Sequence, residues 1–154
     1  MLAAAVAATI LVAIMILLHY EMLRLVSQFV PEFFGLHPRA RVVAVVFCCF
    51  AAHTLEVWIF GLAYYLFVNV LQLGTFGGLH NNTLFDYVYF SAVTYTTLGL
   101  GDVFPIANVR LIAGVEALTG LMLIGWSASF TYLAMEKFWP LHAEHRRRRR
   151  RPAS

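Results

Sequence analysis

The chain has 154 residues, of which 61% are hydrophobic and 12% are charged. This composition excludes a soluble globular domain and is typical of an integral membrane protein with a single domain. The net charge of +3 is unevenly distributed, because six of the eleven basic residues form the run Arg146–Arg151. Beside a membrane, such a run predicts a cytoplasmic segment that contacts anionic lipid, and no nucleic-acid partner.

The first predicted element, residues 2–30, is an N-terminal transmembrane helix with an interfacial extension. Its apolar part is about long enough to span a bilayer. The residues after it keep a helical apolar face up to Pro31, where we expect the helix to stop. A secretory signal peptide is the alternative, but no basic residue precedes the apolar run. Residues 31–41 contain turn formers and basic side chains and predict a cytoplasmic linker.

The second predicted element, residues 42–73, is the longest apolar run and predicts an outer transmembrane helix that exceeds the hydrocarbon thickness of a bilayer. His53 and Glu56 lie three residues apart within it, and therefore on one face of the helix. Ionisable side chains at this depth are costly and are candidates for function. Three roles stay open for the pair: a hydrogen bond that docks the outer helix on the inner helix, a pH-sensitive gate, or part of a metal site.

Residues 74–108 contain an extracellular loop, a short helix and a glycine motif. The loop is residues 74–82, by composition. Thr83 and Asp86 have the spacing of a capping box at the start of the helix. This helix, which extends to Thr97, is too short to span a membrane and fits a re-entrant pore helix.

The motif at the end of this helix is Thr-Thr-Leu-Gly-Leu-Gly-Asp, residues 96–102. Gly99 and Gly101 can adopt positive φ, so that successive carbonyl groups turn to one side and form a row of oxygens. A glycine-rich surface turn is the alternative, although a turn does not require two threonines before it and apolar helices on both sides.

The motif resembles the selectivity filter of the tetrameric potassium channels, whose usual form is Thr-Val-Gly-Tyr-Gly-Asp. The resemblance implies that four copies meet on one axis. The residues that would bind ions in the filter are Thr97, Leu98, Gly99, Leu100 and Gly101, with K⁺ held at the first four. Leu100 replaces the usual tyrosine and cannot form its hydrogen bond to the pore helix, which leaves a weakly selective monovalent cation channel as an alternative.

The same resemblance implies support for the filter and its outer mouth from five further residues. They are Thr96, Asp102, Tyr89, Phe90 and Glu116. In the superfamily the carboxylate after the filter bonds to an acidic residue of the pore helix. The matching position in this chain is Val93, which has no carboxylate, so the contact at Asp102 is absent or replaced. Tyr89 and Phe90 stand where two aromatic residues often surround the filter. The pattern His-x-x-Glu-x-Trp that begins at His53 resembles a bacterial subfamily of small two-pore-type ion channels.

The last predicted span, residues 109–139, is the inner transmembrane helix, and residues 140–154 form a basic cytoplasmic tail. Glu116 lies near its outer end and is expected to support the filter through a hydrogen bond or to pair with Arg110. Gly120 is a candidate hinge, with a packing glycine as the alternative.

Basic residues near the span ends predict that the linker and the tail are cytoplasmic and that the N-terminus is outside. We therefore predict an all-α integral protein of the cell membrane, of the bacterial inner-membrane type. It combines a two-span pore module, made of outer helix, re-entrant pore helix, selectivity filter and inner helix, with an extra N-terminal transmembrane helix, as a homotetramer around a central pore.

The predicted function is passive, potassium-selective conduction, with no enzymatic activity and no cofactor besides the permeant K⁺. A non-conducting regulatory subunit with a pore-like fold is one alternative. A membrane metalloprotein or haem protein is the other. It would use His53 and Glu56, with His19 or His80 as a further ligand.

Overall fold

Three long helices account for most of the fold. The structure is a computed structural model and describes residues 2–33, 37–78 and 81–138. The elements in chain order are α1 (Leu2–Phe33), α2 (Pro38–Asn69), β1 (Gly74–Gly78), α3 (Leu84–Tyr95), β2 (Val103–Ala107) and α4 (Val109–Phe138). The segments long and apolar enough to cross a membrane are Leu2–Val30, Arg39–Asn69 and Val109–Phe138. The prediction of a mostly helical membrane protein is therefore confirmed.

Fewer residues separate α1 from α2 than the predicted linker contains, because two prolines lie inside helices. α1 continues through Pro31 to Phe33, so the prediction that Pro31 stops the helix is wrong. A proline this close to the end removes one backbone hydrogen bond from the last turn, which costs less than in a helix interior. α2 begins at Pro38 and ends at Asn69, so both of its ends lie earlier than in the predicted helix 42–73. Proline is favourable at the first helical position because the N–H that it lacks has no partner there.

Strands β1 and β2 form a two-stranded antiparallel sheet, and β1 lies within residues 74–82, which the composition predicted as loop. The register runs from Gly74 opposite Ala107 to Gly78 opposite Val103. Gly78 has a φ of 97°, and a side chain there would meet the main-chain carbonyl of Asp102. Only glycine tolerates this combination of backbone conformation and close approach. The sheet thereby fixes both ends of the segment that contains α3 and the glycine motif.

Helix α3 begins with the predicted capping box. The hydroxyl of Thr83 accepts a hydrogen bond from the backbone N–H of Asp86 at 3.4 Å, and the Asp86 carboxylate accepts one from the Thr83 N–H at 2.9 Å. Each side chain satisfies a backbone donor that a helix start leaves unpaired. The helix ends at Tyr95, earlier than predicted, because Thr97 has a φ of 58° and cannot continue it.

Buried apolar side chains form two clusters, one at each end of the spans. The first surrounds α3 beneath the sheet, and its aromatic members include Tyr64, Phe76, Tyr87, Phe90 and Tyr95. The second joins the end of α1, the start of α2 and the end of α4, and its members are Leu23, Val26, Val30, Val45, Cys49 and Ala134. The glycine motif therefore lies at the opposite end of the subunit from Arg41 and Lys137.

Several sequence predictions concern residues outside the described ranges. They are the tail 140–154 with its run Arg146–Arg151, and the candidate ligand His80.

Candidate functional site

The glycine motif has a backbone in which left-handed residues alternate with others. Positive φ values occur at every second residue, 58° at Thr97, 60° at Gly99 and 78° at Gly101. Alternation of this kind turns successive carbonyl groups toward one side, which is the geometry that the predicted row of oxygens requires. Thr97 is not a glycine, so its conformation costs about 1–2 kcal/mol and must be held by its surroundings.

Hydrogen bonds at the end of α3 hold the start of the motif. The N–H of Thr97 donates to the carbonyl of Thr94 at 2.9 Å. The carbonyl of Val93 accepts from the N–H groups of both Leu98 and Gly99, at 2.9 and 3.2 Å. The side chain of Thr96 donates back to the carbonyl of Ala92 at 2.7 Å. The motif therefore leaves the helix in a fixed direction, and its first four residues are bonded to the last turn.

The motif is open to its surroundings within one subunit. All residues from Thr96 to Gly101 are exposed, Leu98 to 64% and Leu100 to 59%. A Cβ added at Gly99 or Gly101 would meet no atom of the chain within 4 Å. The described part of the chain therefore leaves this side of the motif uncovered.

Asp102, which follows the motif, is held by Tyr89. The Tyr89 phenol donates a hydrogen bond to the Asp102 carboxylate at 2.7 Å, and the other carboxylate oxygen accepts from the N–H of Val103 at 3.0 Å. The hydrogen bond to Asp102 raises the pKa of Tyr89, with smaller contributions from partial desolvation and from the charge of the carboxylate. The contact that the sequence left absent or replaced at Val93 is therefore replaced by Tyr89, one turn earlier on α3.

Phe90 is placed differently from its neighbour Tyr89. Its ring is buried in the cluster beneath the sheet, with ring centroids 4.7 Å from Phe76 and 5.2 Å from Tyr64. It supports α3 from behind and has no described contact with the motif itself. The second predicted aromatic residue thus contributes to the core.

Glu116 is a fully buried carboxylate behind α3. It accepts hydrogen bonds from the hydroxyl of Tyr64 on α2 and from that of Ser91 on α3, the latter at 2.5 Å. The Ser91 hydroxyl also lies 2.9 Å from the carbonyl of Val57 on α2. These bonds go to α2 and α3, so support of the filter by a direct hydrogen bond from Glu116 stays a prediction, and the alternative partner Arg110 lies exposed beside β2. Glu116 thereby joins α2, α3 and α4 at one point.

Gly120 lies where α4 passes the end of α3. A Cβ at this position would collide with the main-chain carbonyl of Tyr95, and it would also lie 2.9 Å from an atom of the Tyr95 ring. The glycine therefore permits close contact between the two helices immediately before the motif. This geometry favours the packing role over the hinge.

His53 and Glu56 do form the expected hydrogen bond, with His53 Nδ1 3.0 Å from the carboxylate. The partners of this pair were only partly foreseen. The other Glu56 oxygen lies 2.8 Å from Nδ1 of His19 on α1, and the Tyr95 phenol donates a hydrogen bond to Glu56. The pair therefore docks α2 mainly on α1 and on the end of α3. The inner helix α4 contributes Ser127, whose hydroxyl lies 3.2 Å from His19 Nε2.

The sequence indicated His19 only as one of two possible further metal ligands, and its contact with Glu56 was not predicted. The signal that could have found it is an ionisable residue near the end of an apolar span, since such residues normally face a polar partner inside the protein. Its side chain is completely buried.

Comparison with known proteins identifies the family of the chain. A family model described as "Ion channel" matches residues 52–137, more than half of the chain. The chain belongs to this ion channel family. The family is part of the potassium-channel superfamily, so the resemblance stated above is confirmed at that level. No curated protein and no solved structure matches the chain. The matched residues contain most of α2, all of α3 and nearly all of α4, whereas α1 lies outside them.

Proposed function

We propose that this ion channel subunit forms a homotetramer that conducts potassium passively through residues 97–101. The carbonyl groups of Thr97, Leu98, Gly99 and Leu100, with the Thr97 hydroxyl, would replace the hydration shell of K⁺, and neighbouring ions would displace one another. Four subunits would be needed, because one subunit offers oxygens on one side of an ion only.

The observation that carries the proposal is the alternation of left-handed residues at Thr97, Gly99 and Gly101 directly after a capped, partly buried short helix. A surface turn needs one residue of positive φ or two adjacent ones, and gains nothing from three at alternate positions. The strained conformation of Thr97, held by main-chain hydrogen bonds, is the kind of feature that occurs at functional sites.

The exposure of the motif supports the tetramer. Large apolar side chains on α4 are also exposed in the single subunit, among them Leu118, Leu121 and Met122, and in a tetramer these would face neighbours or lipid. We propose that the end of the subunit with Arg41 and Lys137 faces the cytoplasm, because basic residues accumulate on that side. The motif would then face outside, and the run Arg146–Arg151 would contact anionic lipid of the inner leaflet.

Flux into liposomes tests the proposal. Purified full-length protein is reconstituted, and K⁺ and Na⁺ uptake are measured separately. We expect K⁺ flux that exceeds Na⁺ flux and is lost in Gly99→Asp, which puts a side chain and a charge into the row of oxygens. Thr75→Asp is the matched control, because it adds the same charge at an exposed position of β1 and should keep the flux.

Two results would change the assignment. Equal K⁺ and Na⁺ flux would retain the channel and make it weakly selective, the alternative that Leu100 favours because it offers no hydroxyl to hold the filter. No flux of either ion from a well-folded tetramer would instead indicate a non-conducting regulatory subunit. Crosslinking in the membrane checks the stoichiometry, and a ladder that stops at two chains would contradict the tetramer.

A further inference from the structure

Two histidines and a glutamate meet inside the subunit, where α1 crosses α2. His19, His53 and Glu56 each offer one ligand atom, and these three atoms lie within 4.8 Å of one another. From this geometry we propose that the three residues bind a divalent transition-metal ion, with Zn²⁺ as the reference case. The sequence left His19 and His80 as alternatives for a further ligand, and the structure places His19 of α1 beside the pair.

The donor set suits such an ion. Two imidazoles and a carboxylate are a common zinc set that keeps a fourth position open. Bonds of about 2.0–2.1 Å in a tetrahedron put ligand atoms roughly 3.3 Å apart. The Glu56 oxygens already lie 2.8 Å from His19 Nδ1 and 3.0 Å from His53 Nδ1. The ligand nitrogens of the two imidazoles lie within 4.8 Å of each other, and the rings stack with centroids 5.2 Å apart. Binding therefore requires the carboxylate to shift outward and the two rings to move toward each other.

The charge balance of the cluster favours a cation. The side chains of His19 and Glu56 are completely buried, and that of His53 is 20% exposed. An ionised carboxylate at this depth is costly unless a positive charge accompanies it. Neutral imidazoles, which are the form that ligates metals, supply no such charge, whereas a divalent ion does.

Two further side chains are placed as outer partners. The hydroxyl of Ser127 lies 3.2 Å from His19 Nε2, so it can hold the ring with Nδ1 toward Glu56. Metal-bound histidines usually have such a partner on their second nitrogen. The hydroxyl of Tyr95 lies 2.9 Å from His53 Nδ1 and donates to Glu56, which places it next to the fourth position.

An entry path leads to the cluster from the side. His53 lines a cavity of about 420 Å³ between α2 and α3, together with Thr54, Tyr95 and Thr96. An ion that arrives through this cavity meets His53 first, which is the exposed member of the three. The buried pair His19 and Glu56 then completes the coordination.

The site would act as a clamp between the helix outside the matched family region and the pore module. It joins α1 to α2, and through Tyr95 it reaches the last residue of α3 before the glycine motif. The proposal does not rest on potassium conduction, and its test has no flux readout.

Metal binding to the full-length protein in detergent tests the proposal. The protein is treated with a chelator, desalted, and titrated with Co²⁺ or Zn²⁺. We expect one bound metal per chain by elemental analysis, and visible absorption bands of tetrahedral Co²⁺. His19→Ala and Glu56→Gln should abolish binding, and Ser127→Ala should weaken it about 10- to 100-fold, as is typical for outer partners of metal ligands.

His37→Ala is the matched control, because His37 is an exposed histidine before α2 that makes no side-chain cap, and its removal should leave the metal content unchanged. Helix content and elution profile check that each variant folds. If Glu56→Gln does not fold, His53→Ala and Ser127→Ala carry the test. A folded wild-type protein that binds no more Co²⁺ than His19→Ala overturns the site. The site is also overturned if the thermal unfolding midpoint is unchanged by added metal and shifts instead with pH between about 5 and 8, since the cluster would then bind a proton.

Discussion

The phenol of Tyr95 donates a hydrogen bond to the buried carboxylate of Glu56, and this bond connects the last residue of α3 to the middle of α2. Tyr95 is also the residue whose carbonyl lies against Gly120 of α4. The end of α3, from which the glycine motif starts, is therefore positioned by both flanking spans.

Replacement of Tyr95 by Phe removes one donor from the Glu56 carboxylate. We expect chelator-treated Tyr95→Phe to lose about 1–3 kcal/mol of unfolding free energy, because a buried charged acceptor loses a partner without compensation. Denaturant titration in detergent, followed by circular dichroism, measures this loss. Tyr132→Phe is the control, since Tyr132 is 60% exposed and should be near neutral. Equal stability of the two variants would show that the bond contributes nothing.

A methyl group at Gly120 should separate α4 from α3. Gly120→Ala is expected to cost roughly 1–3 kcal/mol, because the added Cβ meets the Tyr95 carbonyl and the helices must move apart. Gly114→Ala on the same helix is the matched control, since a Cβ there meets nothing within 4 Å. It should be neutral or stabilising by about 0.5–1 kcal/mol, because alanine is the better helix former. Thermal unfolding of both variants in one detergent decides between close packing and a hinge. If Gly120 were a hinge, the two substitutions would change the unfolding temperature alike.

Removal of the Glu116 carboxylate should loosen three helices together. Glu116→Ala leaves the buried hydroxyl of Tyr64 without its acceptor, at about 1–3 kcal/mol, whereas the Ser91 hydroxyl can still donate to the carbonyl of Val57. Glu116→Gln keeps one carbonyl oxygen and should lose less. Glu21→Gln is the control for a lost carboxylate, because Glu21 forms an exposed ion pair with Arg24 that is worth about 0–1 kcal/mol. Limited proteolysis and denaturant titration rank the three variants by stability. A Glu116→Ala protein as stable as Glu21→Gln would contradict the expected ranking.

The bond between Tyr89 and Asp102 should make the end of the motif next to β2 sensitive to alkaline pH. The pKa of Tyr89 is raised above its usual 10.0 by this bond, so its contribution is complete below about pH 10 and is lost as the pH rises through the higher folded value. We expect wild type to be more stable than Tyr89→Phe at neutral pH, and the difference to shrink above pH 10. Thermal midpoints of both proteins across this range test it, with Tyr132→Phe as control. A difference that stays constant to the highest pH would mean that Tyr89 does not titrate with the bond.

Features that depend on a few neighbouring residues were predictable from the sequence. The capping box of Thr83 and Asp86 needs only a spacing of three, and the length of each apolar run determines whether it spans a membrane. Gly99 and Gly101 allowed the positive φ angles of the motif to be predicted from the sequence. The left-handed conformation of Thr97 was not predictable, because threonine rarely adopts it and main-chain hydrogen bonds impose it here.

Features that depend on packing between distant segments were not predictable in the same way. Gly74–Gly78 contains three glycines and has the composition of a loop, yet it pairs with β2 because the two span ends bring the strands together. The contact between His19 and Glu56 joins residues 37 positions apart, and no local pattern specifies it. The helix was predicted to stop at Pro31 but continues to Phe33. The free-energy cost of a proline in a helix depends on its distance from the helix end, which the sequence did not give.

The pairing of Gly78 with Val103 has a mechanical consequence for the motif between the sheet and α3. Its first residue follows a helix end that two spans hold, and its last residue precedes a strand that cannot slide. A chain pinned at both ends has no freedom to swing or withdraw as a unit, so its remaining motion is the rotation of single peptide planes. Such flips are easiest beside Gly99 and Gly101, where both signs of φ are accessible. We therefore expect any rearrangement of the motif to be confined to the reorientation of one or two amides, while its ends and the surrounding helices keep their places.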